Sequence, residues 1–184
     1  MLKFQFDKDK TIEVITYIAR KLKSPGVWKI CKIIYLADKE HLNRYGRFIT
    51  GDQYSAMTKG PVPSQSYDLI KSTQNSFLDL DLPFKRNDNH RIQTDREADI
   101  DEFSKSDLII LDEVISKYGN MSRDQLSKIV HDDAWKEAAG ANGEKVRKEN
   151  GGTSSIPMPV ESIIRLFENP EKITDYITSQ GLAV

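Results

Sequence analysis

Residues 32–70 carry the strongest local constraints in this chain of 184 residues. An apolar helical pattern ends at Gly46, a weakly alternating run follows, and Gly60-Pro61-Val62-Pro63 then restricts the backbone to a narrow range of φ angles. The stretch has no glycine-rich phosphate loop, no metal-ligand spacing and no nucleophile beside a base. Its pattern therefore indicates a scaffold or a binding surface.

The helix predicted over residues 27–45 is the centre of this stretch. Ile30, Ile33 and Ile34 recur at helical spacing, and Gly46 stands where a left-handed C-cap is expected. So many apolar positions predict a central helix with contacts on more than one face. Beyond it, residues 47–56 are predicted as an extended run, residues 60–63 as a stiff elbow, and residues 64–72 as a short helix capped by Ser64.

Helices dominate the rest of the chain as well. Capping residues and apolar periodicity predict helices over 11–22 after Asp9, 105–118 after Ser104, 123–139 after Ser122, 160–168, and 171–179. A two-residue turn at Asp88-Asn89 predicts one antiparallel hairpin between residues 84–87 and 90–94. The predicted fold class is α+β, predominantly α: a compact multi-helix domain with a small antiparallel β-hairpin.

One boundary stands out in the second half of the chain. Residues 140–157 contain four glycines, alternating charges and few apolar side chains, which predicts a flexible loop with one helical turn at residues 144–148. We therefore expect one domain over residues 1–139, and a C-terminal helical extension over residues 158–184 that packs on the same domain.

The charge balance argues against a polyanionic partner. The 27 basic and 28 acidic side chains give a formal charge of −1, so no nucleic-acid binding is predicted. The single cysteine, Cys31, lies in an apolar run and is expected to be a buried hydrophobe. Neither a signal peptide nor a membrane-spanning segment is predicted, and the expected location is the cytoplasm.

Two pairs of residues deserve comparison with catalytic sites. His131-Asp132 is similar to the adjacent ligands of metal-dependent hydrolases, but the two other histidines lack a ligand spacing, so we expect His131 and Trp135 to pack locally. Asp38 and His41 share one helical face and suit an acid–base pair, although no nucleophile or oxyanion donor accompanies them. No catalytic residue, metal or cofactor is predicted.

The central stretch contains a series of short motifs, and two further residues follow near the end of the first domain. They are Tyr35-Leu36-Ala37-Asp38, Tyr45-Gly46-Arg47, Ile49-Thr50-Gly51-Asp52, Met57, Gly60-Pro61-Val62-Pro63, Tyr67, His131 and Trp135. In these residues the chain resembles the Panacea domain, the family of SocA-like antitoxins and phage-associated proteins. The resemblance is dense over residues 32–70 and extends more weakly over residues 9–139. It departs from the family pattern at Phe48, where proline is expected, and at Lys59, where an aromatic residue is common.

The resemblance implies a non-enzymatic antitoxin that binds and blocks a cognate toxin encoded by the adjacent gene. The alternative is a phage or mobile-element adaptor that binds a host factor or delivers a partner to a protease. The toxin and the oligomeric state are left open. Structural roles are expected for Tyr35, Gly46, Gly60, Pro61, Pro63, His131 and Trp135, and contacts with the partner for Asp38, Tyr45, Asp52, Lys59, Val62 and Tyr67.

Overall fold

A computed structural model describes residues 2–74, 81–147 and 155–183. These ranges are mainly helical with small antiparallel sheets, so the predicted fold class is confirmed. The helices are α1 (Lys8–Lys21), α2 (Val27–Tyr45), α3 (Ser64–Ser72), α4 (Lys105–Tyr118), α5 (Arg123–Val130), α6 (Asp133–Ala139), α7 (Val160–Ile164) and α8 (Pro170–Ser179), and the strands are β1 (Tyr54–Met57), β2 (Gly60–Pro63), β3 (Phe84–Arg86), β4 (Ile92–Thr94) and β5 (Ile156–Met158).

Helix α2 is the central element, as its apolar pattern predicts. Residues 30–38 are buried without interruption, so α2 is covered on every side by α1, α3, α4, α5, α7 and β2. Its boundaries are those predicted, and Gly46 ends it in the left-handed conformation at φ 70°. Within the described ranges, no helix is long and apolar enough to cross a membrane.

The predicted elbow at residues 60–63 is strand β2, which is a correction. It pairs antiparallel with β1, and β5 joins the other edge of β1 to give the order β2-β1-β5. Ser64 N–H donates to Gln53 O just beyond the ladder. Hydrogen-bonded and non-hydrogen-bonded residue pairs alternate along an antiparallel ladder, so Pro61 and Pro63 both occupy non-hydrogen-bonded pairs with β1. At these positions the missing proline N–H removes no hydrogen bond of the ladder.

Three other predictions are corrected at their boundaries. Helix α1 begins at Lys8 and is capped by Asp7, whose side chain accepts from Lys10 N–H. The helix predicted over 123–139 is two helices, because His131 leaves helical geometry and Asp132 caps the N–H of Trp135. The predicted loop at 140–157 contains the helical turn expected at residues 144–148, as a 3₁₀ turn at Glu144–Val146 that buries Val146. It also contains the strand β5, which was not predicted, while residues 148–154 lie outside the described residues.

The hairpin predicted near Asp88-Asn89 is present as β3 and β4. Its turn is longer than the predicted two residues, because Arg86 pairs with Ile92 and Asn87 N–H donates to Arg91 O. The turn lies at the start of α2, where Val27 N–H donates to His90 O. This contact brings the β3–β4 turn close to a helix that is distant from it in sequence.

Candidate functional site

A cleft opens beside the first turns of α2. It is bounded by α2, the β1–β2 turn, α3, the β3–β4 turn and the N-terminal end of α5, and its volume is about 400 Å³. That volume lies near the lower end of the range for ligand pockets, roughly 300–1,000 Å³. We call it the cationic cleft; its lining residues are Val27, Trp28, Cys31, Lys32, Met57, Thr58, Lys59, Val62, Tyr67, Arg86, His90 and Arg123.

Both tryptophans of the chain fix the β1–β2 turn that forms one rim of the cleft. Trp28 Nε1 donates to the carbonyl of Lys59 at 3.1 Å, and Trp135 Nε1 donates to that of Met57 at 3.0 Å. The turn is thus held by hydrogen bonds from two different helices. Such bonds limit the entropy that a surface loses when a partner docks on it.

Four basic side chains converge on the cleft: Lys32, Lys59, Arg86 and Arg123. Lys32 Nζ lies 5.6 Å from the centroid of the Trp28 ring, and the Arg123 guanidinium lies 5.1 Å from it, so one indole brings two cations together. No Asp or Glu is among the lining residues, and no carboxylate of the described chain forms an ion pair with any of the four.

Lys32 is the buried member of this group. It is 1% exposed, and its ammonium donates to the carbonyl of Pro61 at 2.6 Å. Burial lowers the pKa of Lys32 to about 8, and the neighbouring Arg123 charge acts in the same direction. Its neighbour Cys31 is the buried hydrophobe expected from the sequence, since burial raises the pKa of the thiol to about 11.

Three of the six predicted contact residues come together in the cleft. Lys59 is exposed at the tip of the β1–β2 turn, and Val62 and Tyr67 are half-buried on β2 and α3. They combine a charge, an aliphatic group and an aromatic ring on one wall. Their assignment as partner contacts stays a prediction.

Asp38 and Asp52 are buried, and their assignment as surface contacts is corrected. Asp38 is 0% exposed and accepts four hydrogen bonds, from Ile49 N–H, Thr50 N–H, Thr50 Oγ1 and Tyr54 Oη. Asp52 is 2% exposed and accepts from the N–H groups of residues 53, 65 and 66 and from Ser66 Oγ. Both carboxylates hold the segments that lead into and out of the hairpin.

Tyr45 is at the other end of α2, away from the cleft. Its side chain is 38% exposed, and its ring packs beside the buried His41 at a centroid distance of 4.7 Å. Next to it, an added Cβ on Gly46 would lie 2.5 Å from the Tyr176 ring, so a larger residue there would displace that ring. Tyr45 is available to a partner, but not together with Lys59, Val62 and Tyr67.

The candidate acid–base pair of Asp38 and His41 does not form. His41 Nδ1 donates to the carbonyl of Arg47 at 2.9 Å, and Nε2 lies 3.1 Å from the carboxylate of Asp107. The Asp38 carboxylate instead accepts hydrogen bonds from the segment 49–54. The two side chains therefore stabilise different segments that pack on α2.

His131 and Trp135 pack locally, as expected. Their rings meet edge to face at a centroid distance of 4.1 Å, and His131 Nδ1 donates to the carbonyl of Ser127 at 2.7 Å. Asp132 accepts from Tyr35 Oη and, at 2.7 Å, from the ammonium of Lys39. No group of His, Cys, Asp and Glu that could hold a metal ion occurs among the residues described.

Several cleft residues were missed from the sequence: Trp28, Lys32, Arg86, His90 and Arg123. Trp28 and Lys32 are four residues apart and therefore share one helical face, which is a local signal. Arg86 and Arg123 come from separate elements, and nothing in their local sequence marks them as neighbours. Gly60 was identified correctly as a backbone requirement, since its φ is 96° and an added Cβ would lie 3.2–3.3 Å from Val130 and Lys32.

Comparison with known proteins identifies one family. The family model described as antitoxin SocA-like, Panacea domain, matches residues 30–136, more than half of the chain. No curated protein and no solved structure matches the chain. The matched range runs from α2 into α6 and contains the β1–β2 hairpin, so it includes most of the residues that line the cleft.

Proposed function

Because the chain belongs to the family of SocA-like antitoxins with a Panacea domain, we propose that it neutralises a cognate toxin by direct protein–protein contact. The family match over residues 30–136 is the observation that carries this proposal. The expected toxin is the product of the adjacent gene, and the expected place of action is the cytoplasm, where a single unpaired cysteine stays reduced.

The geometry supports binding rather than chemistry as the basis of neutralisation. The polar groups with catalytic potential, Asp38, His41, His131 and Asp132, make structural hydrogen bonds. The β1–β2 turn, by contrast, presents Lys59 on a backbone fixed by two indoles. A preformed surface of this kind is suited to recognition, and no catalytic step is assigned to the chain.

Co-expression provides the test. The product of the adjacent gene is induced in a bacterial host, with the full chain or an empty vector alongside, and growth is followed while a tag on the chain recovers bound protein. We expect growth to be restored only with the chain, and the toxin to co-purify in a stable ratio. A catalytically inactive toxin serves as the control that separates rescue from reduced expression.

Two outcomes would contradict neutralisation by direct contact. The first is growth arrest that persists although the chain is expressed and folded. The second is rescue in which the toxin disappears from immunoblots and never co-purifies, a result that fits an adaptor delivering its partner to a protease. Repeating the experiment in a protease-deficient host distinguishes the adaptor from the antitoxin, because only the adaptor would then lose its effect.

A further inference from the structure

We infer that the cationic cleft binds an acidic segment of the partner protein, with a carboxylate of that segment against Lys32, Arg86 and Arg123 and an apolar side chain beside Val62 and Tyr67. This inference rests on the proposed function for the identity of the partner. It adds the chemical nature of the partner segment and the location of the binding site on this chain.

Several basic residues elsewhere in the molecule are paired with carboxylates, unlike those that line the cleft. Arg44, Arg96 and Arg165 each form a hydrogen-bonded pair with a glutamate, and Lys39 pairs with Asp132 at 2.7 Å. Over the described part of the chain, the four basic side chains of the cleft have no such partner. Positive charge is thus left without a counter-ion where the surface is concave.

Arg86 has a buried donor without an acceptor among the described residues. Its Nη2 lies 2.7 Å from His90 Nδ1, whereas its Nε is buried and has no hydrogen-bond partner in the structure described. A buried donor without an acceptor costs about 1–3 kcal/mol. Arg86 lines the cleft, so a carboxylate that enters it can accept from the guanidinium once the side chain rotates to expose Nε, because guanidinium donors are arranged to suit carboxylate oxygens.

The N-terminal end of α2 adds to the positive electrostatic potential of the cleft. Gly26 is its N-cap and provides no side-chain hydrogen bond, and the first turn carries no acidic residue. The positive end of this 19-residue helix is therefore not neutralised by its own sequence. Since Val27 and Trp28 line the cleft, that end of the helix borders the space that an acidic group would enter.

The shape of the site favours a peptide over a nucleic acid. A nucleic acid requires basic residues spaced along several phosphates, often with aromatic rings on which successive bases stack. Here the cations surround one cavity whose wall includes Val27, Met57 and Val62, and the chain as a whole carries a charge of −1. An acidic residue beside an apolar residue matches this arrangement of charge and hydrophobic surface.

The chain offers a closely matched pair of positions for the test. Arg123 and Lys105 are both exposed first residues of helices, and both follow a serine N-cap that forms a capping box. Glutamate is favourable at either position because it complements the helix dipole, so both variants are expected to fold. Lys105, however, lies far from the cleft. It is next to Ser106, whose hydroxyl contacts His41, and His41 is about 14 Å along α2 from Lys32.

The test selects random dodecapeptides displayed on phage against the immobilised full chain. We expect enriched peptides to combine Asp or Glu with a neighbouring aromatic or aliphatic residue. A synthetic copy with Asn or Gln in place of the acids should bind at least ten-fold more weakly. Arg123→Glu and, as an independent second variant, Lys59→Glu should each weaken binding of the acidic peptide at least ten-fold, while Lys105→Glu should change it less than two-fold.

Three results would overturn the inference: enrichment of peptides without carboxylates, equal binding by Arg123→Glu and the unchanged chain, or tighter Arg123-dependent binding of a labelled single-stranded oligonucleotide. The same variants in the co-expression assay separate the two proposals. If the unchanged chain fails to neutralise but binds acidic peptides as described, the antitoxin proposal fails alone. If Arg123→Glu neutralises fully and retains peptide binding, the cleft inference fails alone.

Discussion

Two buried aspartates, Asp38 on α2 and Asp107 on α4, show how differently one residue type behaves in one core. Asp38 is surrounded by neutral donors, two of them backbone N–H groups, and burial raises the pKa of Asp38 to about 6 although these bonds act in the opposite direction. Burial also acts to raise the pKa of Asp107, but the hydrogen bonds from His41 and Ser104 and the charges of Arg47 and Lys10 hold the pKa below its usual range. The two carboxylates therefore contribute to stability with opposite dependence on pH.

For Asp38→Asn we predict a deficit in the free energy of unfolding that shrinks as the pH rises. Between about pH 4 and pH 6 the native state binds more protons at this site than the unfolded state, so the unchanged chain loses stability with rising pH and the variant does not. The change is of the order of 2–3 kcal/mol. Urea denaturation of both proteins at pH 4 and pH 7 measures it, and a deficit that grows with pH would show that the carboxylate is held ionised.

Asp107→Asn should show the opposite trend. The folded pKa is below the unfolded value near 4, so the contribution of Asp107 is complete above pH 4 and is lost as the pH falls through the folded pKa. At pH 7 the substitution leaves His41, Arg47 and Lys10 without their shared carboxylate, and we expect a loss of the order of 3 kcal/mol. Denaturation curves at pH 2.5 and pH 7 should show a clearly smaller difference at pH 2.5 than at pH 7.

The exposed ion pair of Asp112 with Lys21 provides the control for Asp107. Asp112→Asn removes a carboxylate that is 55% exposed, and such surface pairs contribute about 0–1 kcal/mol. A loss at Asp112 as large as that at Asp107 would show that net charge, and not the buried cluster, determines the effect.

At the scale of elements, the β1–β2 hairpin explains how a strand accommodates two prolines. Both prolines of β2 occupy non-hydrogen-bonded pairs, and Val62 between them forms a hydrogen-bonded pair with Ser55. The sequence Gly-Pro-Val-Pro thus excludes a shift of the register by one residue, since that shift would place both prolines where the ladder requires an N–H.

We predict that Val62→Pro is far more damaging than removal of either neighbouring proline. Val62→Pro eliminates a ladder hydrogen bond and should cost about 3 kcal/mol or more. Pro61→Ala and Pro63→Ala keep the ladder and should each cost about 1–2 kcal/mol, through greater freedom of the unfolded chain and lost packing. Thermal unfolding of the three variants tests this order, and equal losses would contradict the assigned register.

At the scale of the whole molecule, the C-terminal part is joined to the core by strand pairing and by buried side chains. Strand β5 completes the sheet at the edge of β1, and α7 packs against α2 and α6. Met158, Ile163, Ile164 and Ile177 are each at most 4% exposed. The packed core therefore includes residues beyond residue 136, where the family match ends.

We predict that a chain ending at Arg147 does not fold. Loss of the four buried apolar side chains named above removes about 1.5–3 kcal/mol each, and the sum is comparable to the total stability of a domain, about 5–15 kcal/mol. The unpaired edge of β1 would also promote aggregation. Circular dichroism and size-exclusion chromatography provide the measurement. A chain ending at Gly181, which keeps all four side chains, is the control and should unfold cooperatively.

The sequence by itself determined α2, its glycine C-cap, the serine-capped helices, the β3–β4 hairpin and the packing of His131 on Trp135. Each of these depends on interactions within a few residues, where periodicity and capping chemistry can be read directly. Only the tertiary structure decided that residues 60–63 form a strand, that Asp38 and Asp52 are buried, and that Lys32, Arg86 and Arg123 meet. These outcomes depend on contacts between segments distant in sequence, and local residue patterns carry no information about such contacts.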